Sequence, residues 1–564
     1  MDLKIFSRVN QPPGVSPMNG EIERTKSRLI ILMIVFFLAF LVIGFRLGHL
    51  MISVSGDEQG LETALEAQGA VTRGDILDRN GVVLATSLVT QSLYANPRVI
   101  GDPEEAAKML NKVFPDLSVE SLKNKLSVDR GFIWLKRNLT PSQQNQVYNL
   151  GIPGVMFQTE EKRVYPHGRL FSHVLGCTDI DNNGVSGLEK SFNEGLLHDP
   201  TPLQLSLDIR LQHVVKDEIR AKMEEFNALG GMGIVMDVQT GEVLSMVSVP
   251  DFNPHHIAKA QKEDLFNNVT LGVFELGSNM KILTTALALE SGMVTINSRY
   301  DITGPYKIGR FRVKDFHPRN MVANIPQIFL ESSNIGMMKM IEQVGIERHQ
   351  DYLRKFGLLS PALIELPEVG RPLLPKKWSE VSSLTIAYGY GLAVTPLQMA
   401  NAIASVVNGG ILRRPTLLMR KTGEVPDGVR VISEKTSSIM CDLLRLVVQH
   451  GTGRKAAVSG FDVGGKTGTA EKISATGGYS HKNNRVSFVS VFPMNKPQYL
   501  VWVTIDAPKG NKSSFGFATG GWIAAPAAKN IVQRIAPLLR VRPIMEEDAT
   551  TPQYEVFRAN AQFN

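Results

Sequence analysis

Seventeen consecutive apolar residues, Leu29 to Phe45 (LIILMIVFFLAFLVIGF), constrain this chain more than any other stretch. A run without a polar face has nothing to present to water, so it does not read as the surface helix of a soluble domain. Its length is at the short end for a spanning helix, but Arg46 can snorkel and Leu47 to Val54 continue mostly apolar. Lys4, Arg8, Arg24, Lys26 and Arg28 precede the run, whereas only Arg46 follows before Arg73. That asymmetry predicts a single-pass transmembrane anchor over 29–50, with residues 1–28 as a cytoplasmic tail and the bulk of the chain outside the cytoplasm. A cleaved signal peptide fits less well, because its apolar region is normally shorter and no small-x-small cleavage site follows directly.

The 564 residues are too many for one ordinary core, so two or three folded units are expected. With 43% hydrophobic and 20% charged residues the chain is globular rather than disordered. The net charge of +7 is scattered, and no Lys/Arg tract is interleaved with aromatics, which argues against nucleic-acid binding. Cys177 and Cys441 are the only cysteines, so there is neither a disulfide framework nor a cysteine metal cage, and both read as small buried hydrophobes. His255-His256 is an adjacent pair rather than i, i+4, and there is no His-Glu-x-x-His; no metal or cofactor is expected.

After a polar connector, Arg73 to Gly81 predicts a strand ending in an Asn-Gly hairpin turn, with Val82-Val83-Leu84 returning. Pro103 to Phe114 and Pro141 to Leu150 predict short helices; Phe132 to Leu135 and Gly154 to Phe157 predict strands. Residues 51–200 carry no nucleophile–base pair or metal spacing and read as an irregular α+β spacer. A second domain, 201–541, opens with a strand at Leu203–Asp208 and a helix from Ile209 to about Ala228. Gly233–Val238 and Val243–Val247 predict a hairpin in a sheet covered on both faces. Val463 to Ala470, Arg485 to Phe492 and Tyr499 to Ile505 predict three further antiparallel strands, and Ala524 to Leu539 a closing helix. Residues 542–564 read as a solvated tail.

Within the second domain, Phe274-Glu275-Leu276-Gly277-Ser278-Asn279-Met280-Lys281 starts a helix with a Ser three residues before a Lys. That spacing puts both side chains on one face, beside helix N–H groups that favour developing negative charge. The arrangement suits acyl transfer. Ser332-Ser333-Asn334 follows 54 residues after Ser278, and Lys466-Thr467-Gly468-Thr469 lies on a predicted strand. Ser191-Phe192-Asn193 and Lys421-Thr422-Gly423 imitate the last two motifs, but order, spacing and strand context select the former set.

Ser-x-x-Lys, Ser-x-Asn and Lys-Thr-Gly in this order resemble the active-site set of penicillin-binding proteins and serine β-lactamases. Arg73-Gly74, Asp78-Arg79-Asn80-Gly81 and Gly187-Leu188-Glu189 resemble the N-terminal pedestal (dimerisation-type) domain of class B, monofunctional members. Gly389-Tyr390-Gly391, Thr395-Pro396-Leu397-Gln398, Asn408-Gly409-Gly410 and Gly451-Thr452-Gly453 resemble stretches of their transpeptidase domain. The Ser332-Ser333-Asn334 wording is most similar to septal, FtsI-type members; Leu276 departs from the Pro that many relatives have there. The resemblance implies a multidomain α+β chain: one transmembrane helix, an elongated pedestal over 51–200, and a transpeptidase or β-lactamase-like domain with an antiparallel sheet flanked by helices.

It further implies a peptidoglycan D,D-transpeptidase acting on stem peptides ending in D-Ala-D-Ala, open to β-lactams, at the bacterial inner membrane and division septum. Ser278 would be the nucleophile and Lys281, kept neutral by burial and by Lys466 nearby, its base. Ser332 would relay a proton to the departing D-alanine, and Asn334 would hold the substrate amide and orient Lys281. Lys466, Thr467 and Thr469 would bind the terminal carboxylate, with Gly468 leaving room for close approach, and the Ser278 and Thr469 N–H groups would hold the oxyanion. Implied partners are a membrane-embedded glycan polymerase and other division proteins meeting the anchor and pedestal. The competing readings are a β-lactamase or D,D-carboxypeptidase-type hydrolase, and a non-catalytic membrane-tethered β-lactam sensor. A sensor usually carries a cytoplasmic module, for which the 28 residues before the anchor are too few.

Overall fold

The computed structural model describes residues 33–34, 36–46, 73–309, 311–421, 423–473 and 478–544. Two compact units divide the chain, Met1–Val71 and Thr72–Asn564. In the first, residues 33–34 and 36–46 are helical and exposed. Among the described residues, no helix is long and apolar enough to cross a membrane. The predicted tails, 1–28 and nearly all of 542–564, and much of the 29–50 anchor lie outside the described residues.

The second unit begins with a sheet built on one long strand. Strand β1 (Ile76–Leu77) turns through Asn80-Gly81 into β2 (Val83–Ala95), as the hairpin signal predicts. Asp78 holds that turn by accepting from the Asn80 and Val82 N–H groups at 2.7 and 2.9 Å. Strands β3 (Ile133–Leu139) and β4 (Val155–Val164) pair antiparallel with β2. Helices α1 (Pro103–Val113), α2 (Val119–Leu126) and α3 (Pro141–Tyr148) start at Asp102, Ser118 and Thr140, whose side chains accept from first-turn N–H groups. Their apolar residues, among them Leu110, Leu122 and Leu126, pack with Leu93 and Leu135. The Arg-Gly and Gly-Leu-Glu stretches meet in a buried network: Glu189 accepts from Arg73 Nε at 2.7 Å and Arg163 Nε at 2.6 Å.

Strand β5 (Leu203–Gln204) runs parallel to β1, with Ile76 opposite Leu203. It is shorter than the expected Leu203–Asp208, because the Ser206 N–H turns to the Leu417 carbonyl and leaves the ladder. Helix α4 (Ile209–Glu225) is capped by Asp208 and stops before the expected Ala228, where Asn227 is left-handed at φ 45°. The main sheet comprises β6 (Gly230–Asp237), β7 (Val243–Val249), β8 (Gly464–Ile473), β9 (Tyr479–Phe492) and β10 (Tyr499–Asp506), in the order β8-β9-β10-β6-β7, all antiparallel.

Both faces of this sheet are covered, which explains the unbroken apolar runs of its central strands. On one face Val235, Val501 and Val503 pack with α4 and the C-terminal helix α8 (Ala524–Leu538). On the other, Ile234, Met236, Leu500 and Trp502 join the core that contains helices α5 (Met280–Glu290), α6 (Asn334–Val344) and α7 (Glu434–His450). Met337, Met338 and Met340 on α6 are core residues, and both cysteines are buried. Strand β8 is an edge, so on one side its backbone N–H and C=O groups have no neighbouring strand to pair with.

Candidate active site

Ser278 lies in a 3₁₀ turn, Gly277–Asn279, and α5 begins at Met280. The expected helix start is thus tightened by one turn, which keeps residues three apart on one face. Gly277 is required here: its φ is +54°, and a Cβ would collide with the Thr469 carbonyl on β8. Ser278 itself is half-buried on the wall of a cleft of about 770 Å³.

Lys281, 1% exposed, sits at the floor of that cleft. Its Nζ lies 2.6 Å from the Ser332 carbonyl, 2.7 Å from Asn334 Oδ1 and 3.1 Å from Ser332 Oγ. No hydrogen bond joins it to Ser278. Burial pushes its pKa from the ordinary lysine range down to about 7, with the nearby Asp315 carboxylate partly opposing the fall. Lys466, fully buried, donates to the same Ser332 hydroxyl at 2.9 Å. It too is held well below its usual range, by burial first and by the charge of Lys281 second. Burial is thus the main cause of the low Lys281 pKa, and the mutual repulsion of the two like charges disfavours having both lysines protonated at once.

Ser332 precedes α6 in a left-handed conformation, φ 56°, uncommon for a residue with a side chain. That geometry turns both its hydroxyl and its carbonyl toward Lys281. Ser333, not Asn334, is the helix cap, accepting from Gly336 N–H at 3.0 Å. Asn334 donates through Nδ2 to the Lys314 carbonyl at 3.0 Å, which orients its Oδ1 on Lys281. Beneath both, buried Asp315 accepts from the Ser333 hydroxyl at 2.6 Å and from the Asn334 and Ile335 N–H groups. A carboxylate at a helix N-terminus is a favourable pairing.

On β8 the motif splits between two faces, as strand alternation demands. Thr467 and Thr469 line the cleft; Thr467 Oγ1 lies 2.9 Å from Thr452 Oγ1, and Thr469 Oγ1 accepts from Gly520 N–H at 3.2 Å. Lys466 and Gly468 face inward. The close approach at Gly468 is made by protein groups: a Cβ there would strike the Asn279 amide and the Ser487 hydroxyl. The cleft is also lined by Tyr388, Tyr390 and Glu471, and by Trp522 with the Lys455 amine 3.7 Å from its ring centroid.

The imitations of the motifs are elsewhere. Ser191 ends a short helix in the first sheet's half of the unit, and Lys421 is an exposed turn residue. His255 accepts from the Tyr165 N–H at 3.0 Å, and among the described residues no group of His, Cys, Asp or Glu could hold a metal ion.

Residues 231–533 match the model of the penicillin-binding protein transpeptidase domain, and residues 68–197 that of the penicillin-binding protein dimerisation domain. The chain belongs to the penicillin-binding protein transpeptidase family. It is 37% identical to a probable peptidoglycan D,D-transpeptidase FtsI of Caulobacter vibrioides, over 92% of this chain and 89% of that one. It is 30% identical to peptidoglycan D,D-transpeptidase FtsI of Escherichia coli K12, over 87% of each. Penicillin-binding protein 3 of Mycobacterium tuberculosis, solved with ampicillin, superposes with a TM-score of 0.68 at 25% identity, covering 85% of this chain and 97% of that one. Two lining residues, Tyr390 and Thr452, lie in stretches that carried the family resemblance, whereas the buried groups behind the cleft, Asp315 under Ser333 and Asn279 bonded to Ser487, have no spacing signal.

Proposed function

We infer that this chain is a serine-type, penicillin-binding peptidoglycan D,D-transpeptidase, working in cell-wall synthesis during division. The observation that carries the reading is the Ser332 hydroxyl held between two buried lysines beside Ser278, at 3.1 and 2.9 Å. A neutral amine has two N–H groups and one lone pair. Lys281 spends its N–H groups on its two shortest contacts, the Ser332 carbonyl and Asn334 Oδ1, which leaves the lone pair to accept a proton. With its pKa at about 7, a useful fraction is neutral under ordinary conditions.

In this reading Lys281 takes the Ser278 proton as Ser278 attacks the penultimate D-alanine carbonyl of a stem peptide. The oxyanion rests on the Ser278 and Thr469 N–H groups. Ser332, in contact with both lysines, returns the proton to the D-alanine nitrogen as the C–N bond breaks. Thr467 and Thr469 take the terminal carboxylate from the cleft side, and Lys466, bonded to the Ser332 hydroxyl and reaching the Thr467 carbonyl at 3.5 Å, lends its charge from behind them. The amine of a second stem then attacks the acyl ester, and the cross-link forms. No step calls for a metal or cofactor. β-Lactams enter as stem mimics and acylate the same hydroxyl.

The apolar run at 29–45 and the basic residues before it support a single-pass inner-membrane anchor with the catalytic domain in the periplasm at the septum. The FtsI relatives support division duty; a glycan polymerase and other division proteins are the partners that the motif resemblance implies for anchor and pedestal. The test is a reaction of the purified chain with a D-Ala-D-Ala stem peptide and an acceptor amine. Expected are D-alanine release and a cross-linked product, both lost in Ser278→Ala. D-alanine release without cross-linking at any acceptor concentration would make the protein a hydrolase instead.

A further inference from the structure

Asn279 stands between Ser278 and the core with no task in the scheme above. It is fully buried, and its Nδ2 donates to Ser487 Oγ on β9 at 2.7 Å and to the Leu276 carbonyl at 3.4 Å. Its Oδ1 has no partner. Ser487 lies directly opposite Gly468 in the β8–β9 register, and the amide fills the space that a side chain at Gly468 would need. Asn279 thus reaches beneath β8 and fastens the Ser278 turn to the second strand of the sheet. An apolar side chain would fill the same space without leaving a buried amide oxygen unpaired, so packing alone does not account for an Asn here.

The same turn touches β8 a second time, where Gly277 packs on the Thr469 carbonyl. In an antiparallel strand the N–H and C=O of one residue point to the same side. Thr469 N–H therefore faces the Ser278 turn from the open edge of β8. Two amide groups on different elements have to converge on one oxygen, and an oxyanion hole works only when each donor is about 2.7–3.1 Å from it. A slide of the turn along β8 would disengage one of them.

We propose that Asn279 and Ser487 are positioning residues that hold the Ser278 turn in register with Thr469, and so set the spacing of the oxyanion hole in the acyl transfer assigned above. The proposal rests on that assignment of Ser278 and Thr469. It is tested in the full-length, detergent-solubilised chain with Asn279→Ala, Ser487→Ala, Ser487→Thr and the double alanine variant. Stopped-flow acylation by a chromogenic cephalosporin over a range of concentrations separates binding from the acylation step, and infrared spectra of the penicilloyl ester read the polarisation of its carbonyl.

Expected is a fall of about 10- to 100-fold in the acylation rate constant with the dissociation constant within about twofold, since losing a whole donor costs about 10²–10³. The ester carbonyl band moves to higher frequency, Ser487→Thr restores both readings, and the double variant is no worse than Asn279→Ala. Should Asn279→Ala fail to fold, Ser487→Ala, which deletes only a hydroxyl, carries the same expectations. Folded variants that acylate at the parental rate with an unmoved carbonyl band overturn the proposal, as does a loss confined to binding. A parent that forms no ester at Ser278 overturns the underlying assignment and the proposal with it; a parent that acylates normally beside unaffected variants overturns the proposal alone.

Discussion

A lysine that is to accept a proton from serine has to be neutral, and the surroundings of Lys281 decide when it is. Burial lowers its pKa to about 7, and the Asp315 carboxylate pulls in the other direction. Protonated Lys281 cannot take the Ser278 proton, so acylation by a penicillin is predicted to rise about tenfold per pH unit below about 7 and to level off above it. Asp315→Asn keeps an oxygen for the Asn334 and Ile335 N–H groups but removes the charge. Without the raising influence the Lys281 pKa falls further, and the acid limb of the rate profile moves to lower pH. A limb that stays in place, or moves up, contradicts this account of Lys281. Ser278, Lys281, Ser332 and Asn334 were legible from motif spacing because each motif is local in sequence. Asp315 was not: it is a lone acid 18 residues before the Ser333 it binds, and only the folded loop brings the two together. The inward direction of Lys466 was equally hidden, since a strand's alternation is readable but not which of its faces meets the substrate.

At the scale of elements, the site depends on where three pieces end: the turn before α5, the start of α6 and the open edge of β8. Gly277→Ala places a Cβ against the Thr469 carbonyl in a left-handed backbone. A strained residue of this kind costs about 1–3 kcal/mol. The variant is predicted to unfold at a lower temperature and to lose acylation more than 100-fold, read by scanning calorimetry and penicillin labelling; wild-type values in both would show that the turn is not tightly seated. In the first sheet, the single carboxylate of Glu189 is paired with both Arg73 and Arg163 in a site closed to water. Removing one partner of such a group is predicted to cost about 3–5 kcal/mol, so Glu189→Gln should shift the urea midpoint sharply downward. Hairpins and capped helices were legible because Asn80-Gly81, Asp102, Ser118 and Thr140 act on their own neighbours. The short β5 was not, because Ser206 is diverted by Leu417, more than 200 residues away.

For the whole molecule, order of motifs along the chain translated into one cleft because β8 is the sheet's edge strand and faces helices from the middle of the domain. Two successive stretches of the chain, 68–197 and 231–533, match two family models, and the apolar run before them makes a separate prediction. Full-length protein should remain with membranes after alkaline carbonate extraction, while residues 51–564 alone should not; release of the full chain would rule out an integral anchor. The most direct measurement of the central claim is peptide mapping by mass spectrometry after reaction with ampicillin. The account predicts a single penicilloyl ester on Ser278, absent from Ser278→Ala and from Lys281→Ala. An ester on another serine, or undiminished adduct in Ser278→Ala, would contradict it.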